Sequence, residues 1–143
     1  MIKVSFEELN SIEDNKLKFA VICTEYNDKW IFCRHKQRTT WEIPGGHREI
    51  NESIEETAKR ELIEETGAKK FEITPLTVYC VEKDREKNYG VLFFAEVNEL
   101  GDISIDSEIK EISLFDTIPD ELTYPKIQPY LYEFVAERKK IND

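Results

Sequence analysis

No stretch of this chain narrows its possible folds more than Gly46 to Ala68, GHREINESIEETAKRELIEETGA, in which a glycine loop runs into a helix rich in carboxylates. Asn51 and Ser53 can each cap the helix, Glu55 and Glu56 fall in the first turn where the dipole favours acids, and Gly67 stands where a C′ residue ends a helix. At about 100° per residue, Ile54, Ala58 and Leu62 make an apolar stripe roughly 80° wide. Glu61, Glu64 and Glu65 lie within about 100° of one another, and their arc overlaps one edge of the stripe. These carboxylates therefore border the core.

Acids on a helix commonly form a solvated face, but this cluster suits one poorly. Glu61 and Glu65 are like charges at i,i+4, which costs a few tenths of a kcal/mol on an exposed helix and more beside apolar surface. Arg60 can pair with Glu64 four residues on, yet one cation does not neutralise three carboxylates. A hard divalent ion with oxygen ligands does, and Mg²⁺ or Mn²⁺ suits carboxylate, carbonyl and water donors.

The same segment resembles the signature of the Nudix (MutT-like) hydrolases, Gly-x5-Glu-x7-Arg-Glu-U-x-Glu-Glu-x-Gly-U with U a bulky aliphatic. Gly46, Glu52, Arg60, Glu61, Glu64, Glu65 and Gly67 fill every fixed position, and Ala68, small for the last aliphatic, is a mild departure. The resemblance implies an α/β Nudix fold, an αβα sandwich with a mixed β-sheet between the box helix and a C-terminal helix. It implies a Mg²⁺-dependent enzyme, with Mn²⁺ an alternative, that cleaves a nucleoside diphosphate linked to another group. The foremost substrate is a nucleoside triphosphate, oxidised ones of the 8-oxo-dGTP kind included, giving monophosphate and pyrophosphate.

Residue roles follow from that likeness. Glu61 and Glu65 become direct metal ligands, Glu64 a third ligand or a ligand to a second ion, and the Gly45 carbonyl the backbone ligand. Arg60 orients a glutamate by pairing, while Gly46, Glu52 and Gly67 shape the loop. In several relatives a glutamate after the central strands completes the site as a base. Glu108 and Glu111 are the candidates here, and Glu111 is preferred because it stands just before the last expected strand.

Outside the box the chain reads as strands and one more helix, within one domain spanning residues 1–143. Leu17 to Tyr26 and Trp30 to Arg34 make a hairpin around Asn27-Asp28, and Trp41 to Pro44 reads as a short strand. Phe71 to Glu82 and Tyr89 to Val97 flank a charged loop, Lys83 to Asn88, and Glu111 to Phe115 is a last short strand. From Pro125 to Lys140, Ile127, Tyr130, Leu131, Phe134 and Val135 recur at helical spacing. Cys23, Cys33 and Cys80 each lie in an apolar run as reduced, buried thiols do, and zinc is disfavoured because there is no CxxC and the histidines are His35 and His47 alone. A cytoplasmic protein is expected, since no apolar run approaches the roughly 20 residues of a membrane span and the N-terminus lacks a signal-peptide layout. The net charge of −10 argues against a nucleic acid polymer or anionic membrane as partner, though not against a nucleotide bridged by metal.

The substrate is the least legible part. Trp41 and Ile43 precede the box, near where side chains of relatives line the base pocket. Arg34, His35 and His47 can reach phosphates, but His47 stands where similar enzymes often carry lysine or arginine, and a largely neutral histidine is a weaker clamp. Tyr124 lies near the start of the final helix, where some nucleotide-sanitising relatives read an oxidised purine with an amide, so it argues against 8-oxoguanine specificity. Two other readings stay open. One is a hydrolase of ADP-ribose, nucleotide sugars or dinucleoside polyphosphates, although Pro44-Gly45-Gly46 departs from the Pro-Ala-Gly of many ADP-ribose hydrolases. The other is a non-catalytic ligand-binding domain, which has no need to retain every box carboxylate. Many relatives are homodimers, and the resemblance allows one here.

Overall fold

Apolar residues alternate with polar ones along most of the strands, so each strand offers one set of side chains to each side of a sheet. The computed structural model describes residues 1–142. Its elements run β1 (Ile2–Glu7), a 3₁₀ turn (Asp14–Lys16), β2 (Leu17–Tyr26), β3 (Lys29–His35), β4 (Gly45–His47), α1 (Ile54–Thr66), β5 (Ala68–Lys83), β6 (Glu86–Leu100), β7 (Ile109–Phe115) and α2 (Gln128–Asn142). The sheet order is β1-β5-β6-β2-β3-β7, with β4 on β2. β2 and β6 are parallel and the remaining pairs antiparallel, which makes the sheet mixed.

Two cores sandwich this sheet. Ile22, Val91, Phe93 and Ala95 point to the side where Ile54, Ala58 and Leu62 of α1 pack. Cys23, Phe32 and Leu92 point to the other, against Leu131 and Val135 of α2. Beyond this core, Lys139 pairs with the buried Glu25 of β2 and pins the end of α2 to the sheet. The αβα sandwich expected from the sequence is thus the observed architecture. Among the described residues no helix is long and apolar enough to cross a membrane.

The box helix begins at Ser53, whose hydroxyl accepts from the Glu56 N–H while the Glu56 side chain accepts from the Ser53 N–H, a complete capping box. Asn51 instead turns the chain with φ of 65°. Gly67 closes the helix at φ of 77°, its N–H donating to the Ile63 carbonyl.

Four expectations need correction. The short strand lies at Gly45–His47 rather than Trp41–Pro44, where only single bridges join Glu42 to Cys33 and Trp41 to Leu122; Pro44 has no N–H to extend a ladder. The charged loop is a tight turn at Asp84-Arg85, both at positive φ, so β5 and β6 run longer than their apolar cores. β1 was not expected, although Ile2, Val4 and Phe6 alternate as a strand requires. α2 starts at Gln128 and leaves Tyr130 exposed, with Tyr132 buried instead.

Candidate functional site

Arg60 is the hub of the loop and helix. Its guanidinium grips Glu52 in a fork, Nε to Oε2 at 2.7 Å and Nη2 to Oε1 at 3.0 Å, and reaches Glu61 Oε1 at 2.7 Å through Nη1. Nη2 also donates to the His47 carbonyl at 3.0 Å, tying β4 to α1. Glu64 is held more loosely, at 3.4 Å, with its side chain 55% exposed. The Arg60 guanidinium, with help from the Thr57 hydroxyl and against some burial, holds the Glu52 carboxyl down to about 2. Glu52 is therefore a fixed anion that positions the arginine.

Glu61 and Glu65 turn from α1 toward β4. A side chain at Gly46 would meet the Glu61 carboxylate, since a Cβ there falls 2.6 Å from its Cδ, so the glycine makes room for that acid. Burial raises the Glu61 carboxyl, with Arg60 opposing. Glu65 is buried more deeply, and its Oε1 accepts from the Gly45 N–H at 2.7 Å. Burial pushes its carboxyl up to about 8; the Gly45 N–H opposes this, and Glu61, Glu42 and Glu64 add to it. Beside it, His35 Nε2 lies 2.9 Å from Glu42 Oε1 and 3.7 Å from Glu65 Oε2, out of line for a hydrogen bond. Arg38 holds the other Glu42 oxygen at 2.9 Å.

On the α2 side of β4 lies a cavity of about 310 Å³. Ile43, His47 and Tyr124 line it, as do Gly45 and Gly46, so β4 is a wall shared by the cavity and the carboxylate groove. The structure therefore gathers Gly45, Gly46, Glu52, Arg60, Glu61, Glu64, Glu65 and His35 at the groove, and Ile43, His47 and Tyr124 at the cavity.

Arg34, Trp41 and Glu111 are placed elsewhere. The Arg34 guanidinium lies 5.4 Å from the Trp41 ring centre and pairs with Glu111, its register partner across β3 and β7, and Trp41 packs on Phe115. Paired residues share a face, and Phe32, two before Arg34, belongs to the α2 core. Glu111 thus stands on the opposite side of the sheet from Glu61 and Glu65, which corrects its assignment to their cluster. The loop before β7 does touch α1: the Ser107 hydroxyl donates to the Glu64 carbonyl at 3.2 Å, with Glu108 next in the chain.

Sequence reasoning missed Glu42 and Gln128. Both are buried and both line the cavity. The available signal for Glu42 was an acid inside the apolar run Trp41 to Pro44. For Gln128 it was an amide at the first turn of a helix otherwise read for its apolar stripe.

Among the described residues, no three acid, histidine or cysteine groups converge as they stand to hold a metal ion. The donor set nevertheless fits one: oxygen ligands alone, a glycine that admits Glu61 against the loop, and a half-exposed Glu64 free to swing. A family profile described as NUDIX domain matches residues 15–137. A Bacillus subtilis (strain 168) protein provisionally named 8-oxo-dGTP diphosphatase YtkD is 34% identical over 128 residues, which cover 87% of this chain and 77% of that one. The fold resembles the crystal structure of the Bacillus subtilis pyrophosphohydrolase BsRppH (E68A mutant), with a TM-score of 0.77 at 24% identity over 96% of this chain and 90% of that one. It also resembles a UDP-X diphosphatase, with a TM-score of 0.69 at 22% identity over 92% and 68% of the respective chains.

Proposed function

The chain belongs to the NUDIX family of phosphoric anhydride hydrolases, and from that premise we propose that it hydrolyses a nucleoside triphosphate to monophosphate and pyrophosphate, with Mg²⁺ as cofactor and Mn²⁺ as a substitute. The observation that carries this reading is the juxtaposition across β4. A groove of carboxylates lies on one side, and on the other a mostly apolar cavity within the size range of small-ligand pockets. A triphosphate can place its base in the cavity and lay its phosphates over the glycine loop. The name of the YtkD relative supports a purine triphosphate, oxidised forms included.

Glu61, Glu64, Glu65 and the Gly45 carbonyl would hold the ion, which when bound draws charge from phosphate oxygens and brings the pKa of water toward neutral. Arg60 keeps Glu61 aimed at the groove and is itself aimed by Glu52. Ser107 brings the loop carrying Glu108 to α1, so Glu108 replaces Glu111 as the candidate base. Glu108→Gln is expected to lower kcat by about tenfold or more with little change in KM, while Glu111→Gln stays within a few-fold of wild type. Steady-state kinetics on both variants checks this, and a silent Glu108→Gln removes that residue from the site.

The decisive experiment is a Mg²⁺-dependent phosphate-release screen over canonical and oxidised nucleoside triphosphates, ADP-ribose, nucleotide sugars and dinucleoside polyphosphates. Turnover should be highest on triphosphates. Folded protein that releases nothing from any of them with Mg²⁺ or Mn²⁺ refutes the reading.

A further inference from the structure

Arg48 occupies one of the positions that the box leaves open between Gly46 and Glu52, and its guanidinium reaches three separate segments. Nε donates to the Glu52 carbonyl at 2.6 Å. Nη1 donates to the carbonyls of Asp14 at 2.8 Å and Leu17 at 3.3 Å, and Nη2 to Asp14 Oδ2 at 2.8 Å. The N–H of Arg48 adds a bond to the Lys18 carbonyl at 2.8 Å. Arg48 therefore fastens the loop between β4 and α1 to the 3₁₀ turn and the start of β2. Its side chain is 18% exposed, whereas that of Asp14 is 72% exposed and too well screened to contribute much through charge. Most of these bonds go to carbonyls, so the planar fork acts as a template for the backbone around it.

The loop has little else to fix it. Glu52 bonds locally to Glu49, its N–H to the Glu49 carbonyl at 3.3 Å and its Oε1 to the Glu49 N–H at 3.1 Å, around the left-handed Asn51. Among the described residues, Arg48 is the one donor to the Glu52 carbonyl. Turning that peptide would swing the Glu52 side chain, whose two oxygens grip Arg60, and Arg60 in turn holds Glu61 Oε1. We propose that Arg48 is a positioning residue for the metal site, which fixes the Glu52 peptide and, through Glu52 and Arg60, the direction of the Glu61 carboxylate. This role rests on the reading of Glu61 as a ligand of the hydrolase's metal ion.

Mn²⁺ alone, titrated into the protein and followed by electron paramagnetic resonance, probes the metal site without turnover. Arg48→Ala is expected to bind Mn²⁺ at least about fivefold more weakly than wild type. At saturating Mg²⁺ it should lower kcat about tenfold, with KM within a few-fold, on the triphosphate that wild type turns over fastest. A mere brace for the fold would lower the melting temperature and leave Mn²⁺ affinity and kcat at wild-type levels below the transition, and that result overturns the proposal. A double-mutant cycle with Glu52→Gln tests the route, because glutamine disrupts the grip on Arg60 and keeps the backbone carbonyl. In that background Arg48→Ala should add less than about twofold to the loss of kcat, and full additivity overturns the proposal. Arg48→Lys keeps the charge, but an ammonium does not span the carbonyls of Glu52, Asp14 and Leu17 in one plane, so it should resemble Arg48→Ala. It takes over the test if Arg48→Ala does not fold, and wild-type Mn²⁺ affinity and kcat in Arg48→Lys overturn the proposal. Wild type that binds no Mn²⁺ overturns the metal-ligand assignment and this role with it. Mn²⁺ binding without turnover of any triphosphate overturns the hydrolase reading instead, and the Mn²⁺ affinities of wild type and variants then decide the role of Arg48.

Discussion

Replacing Glu61 or Glu65 by glutamine is expected to lower kcat by at least about 10²-fold while leaving the protein folded. Glutamine matches glutamate in shape, and in Glu65→Gln its amide oxygen can still accept from the Gly45 N–H. In Glu61→Gln the guanidinium of Arg60 keeps its fork on Glu52 and its bond to the His47 carbonyl. Glu65→Gln resembles the protonated carboxyl that burial favours in the metal-free protein, so its melting temperature near neutral pH should hold. What is lost is the negative charge, whose contribution is greatest where charge redistributes in the transition state. Glu64→Gln should cost less, because that side chain is half exposed and loosely held. Steady-state rates at saturating Mg²⁺ measure all three, and wild-type turnover in both Glu61→Gln and Glu65→Gln would remove the metal-ligand assignment.

The parts of this molecule that could be read from the chain are those fixed by local spacing. The stripe Ile54, Ala58 and Leu62, the cap options at Ser53 and Gly67, and the cluster Glu61, Glu64 and Glu65 all lie within one helix, where sequence separation fixes angle. The Asn27-Asp28 hairpin was legible for the same reason. Glu111 was not, because its face depends on long-range register: a residue directly opposite Arg34 points away from α1, and the ladder is irregular between Arg34 and His35. Gln128 escaped notice because its role depends on a bond to Ile43, far away in the chain. Glu42 reads in sequence as the polar partner of an alternating strand, and only the meeting of β3, α1 and its own segment surrounds it with His35, Arg38 and Glu65.

Without metal, the protein is expected to lose stability as pH rises from about 4.5 to about 8, and Mg²⁺ is expected to restore it. The folded-state carboxyl of Glu65, pushed up to about 8, lies above its ordinary value of 4.5, so across this range the folded chain keeps a proton that the unfolded chain releases. The resulting stabilisation is complete below pH 4.5 and is lost as pH climbs through 8, by a few kcal/mol at most. The excess negative charge of the chain pushes the same way through self-repulsion, so the comparison that isolates Glu65 is with Glu65→Gln, which carries no proton to release. Its melting temperature should fall less steeply over the same range. A divalent ion competes with that proton, and its increment should therefore grow with pH, following RT ln(1 + [L]/Kd), about 2.7 kcal/mol at a hundredfold excess over Kd. The increment should vanish in Glu61→Gln/Glu65→Gln. Thermal melts with Mg²⁺ or chelator across this range provide the measurement, and superimposable curves up to tens of millimolar Mg²⁺ would mean that the cluster is a solvated charge face after all.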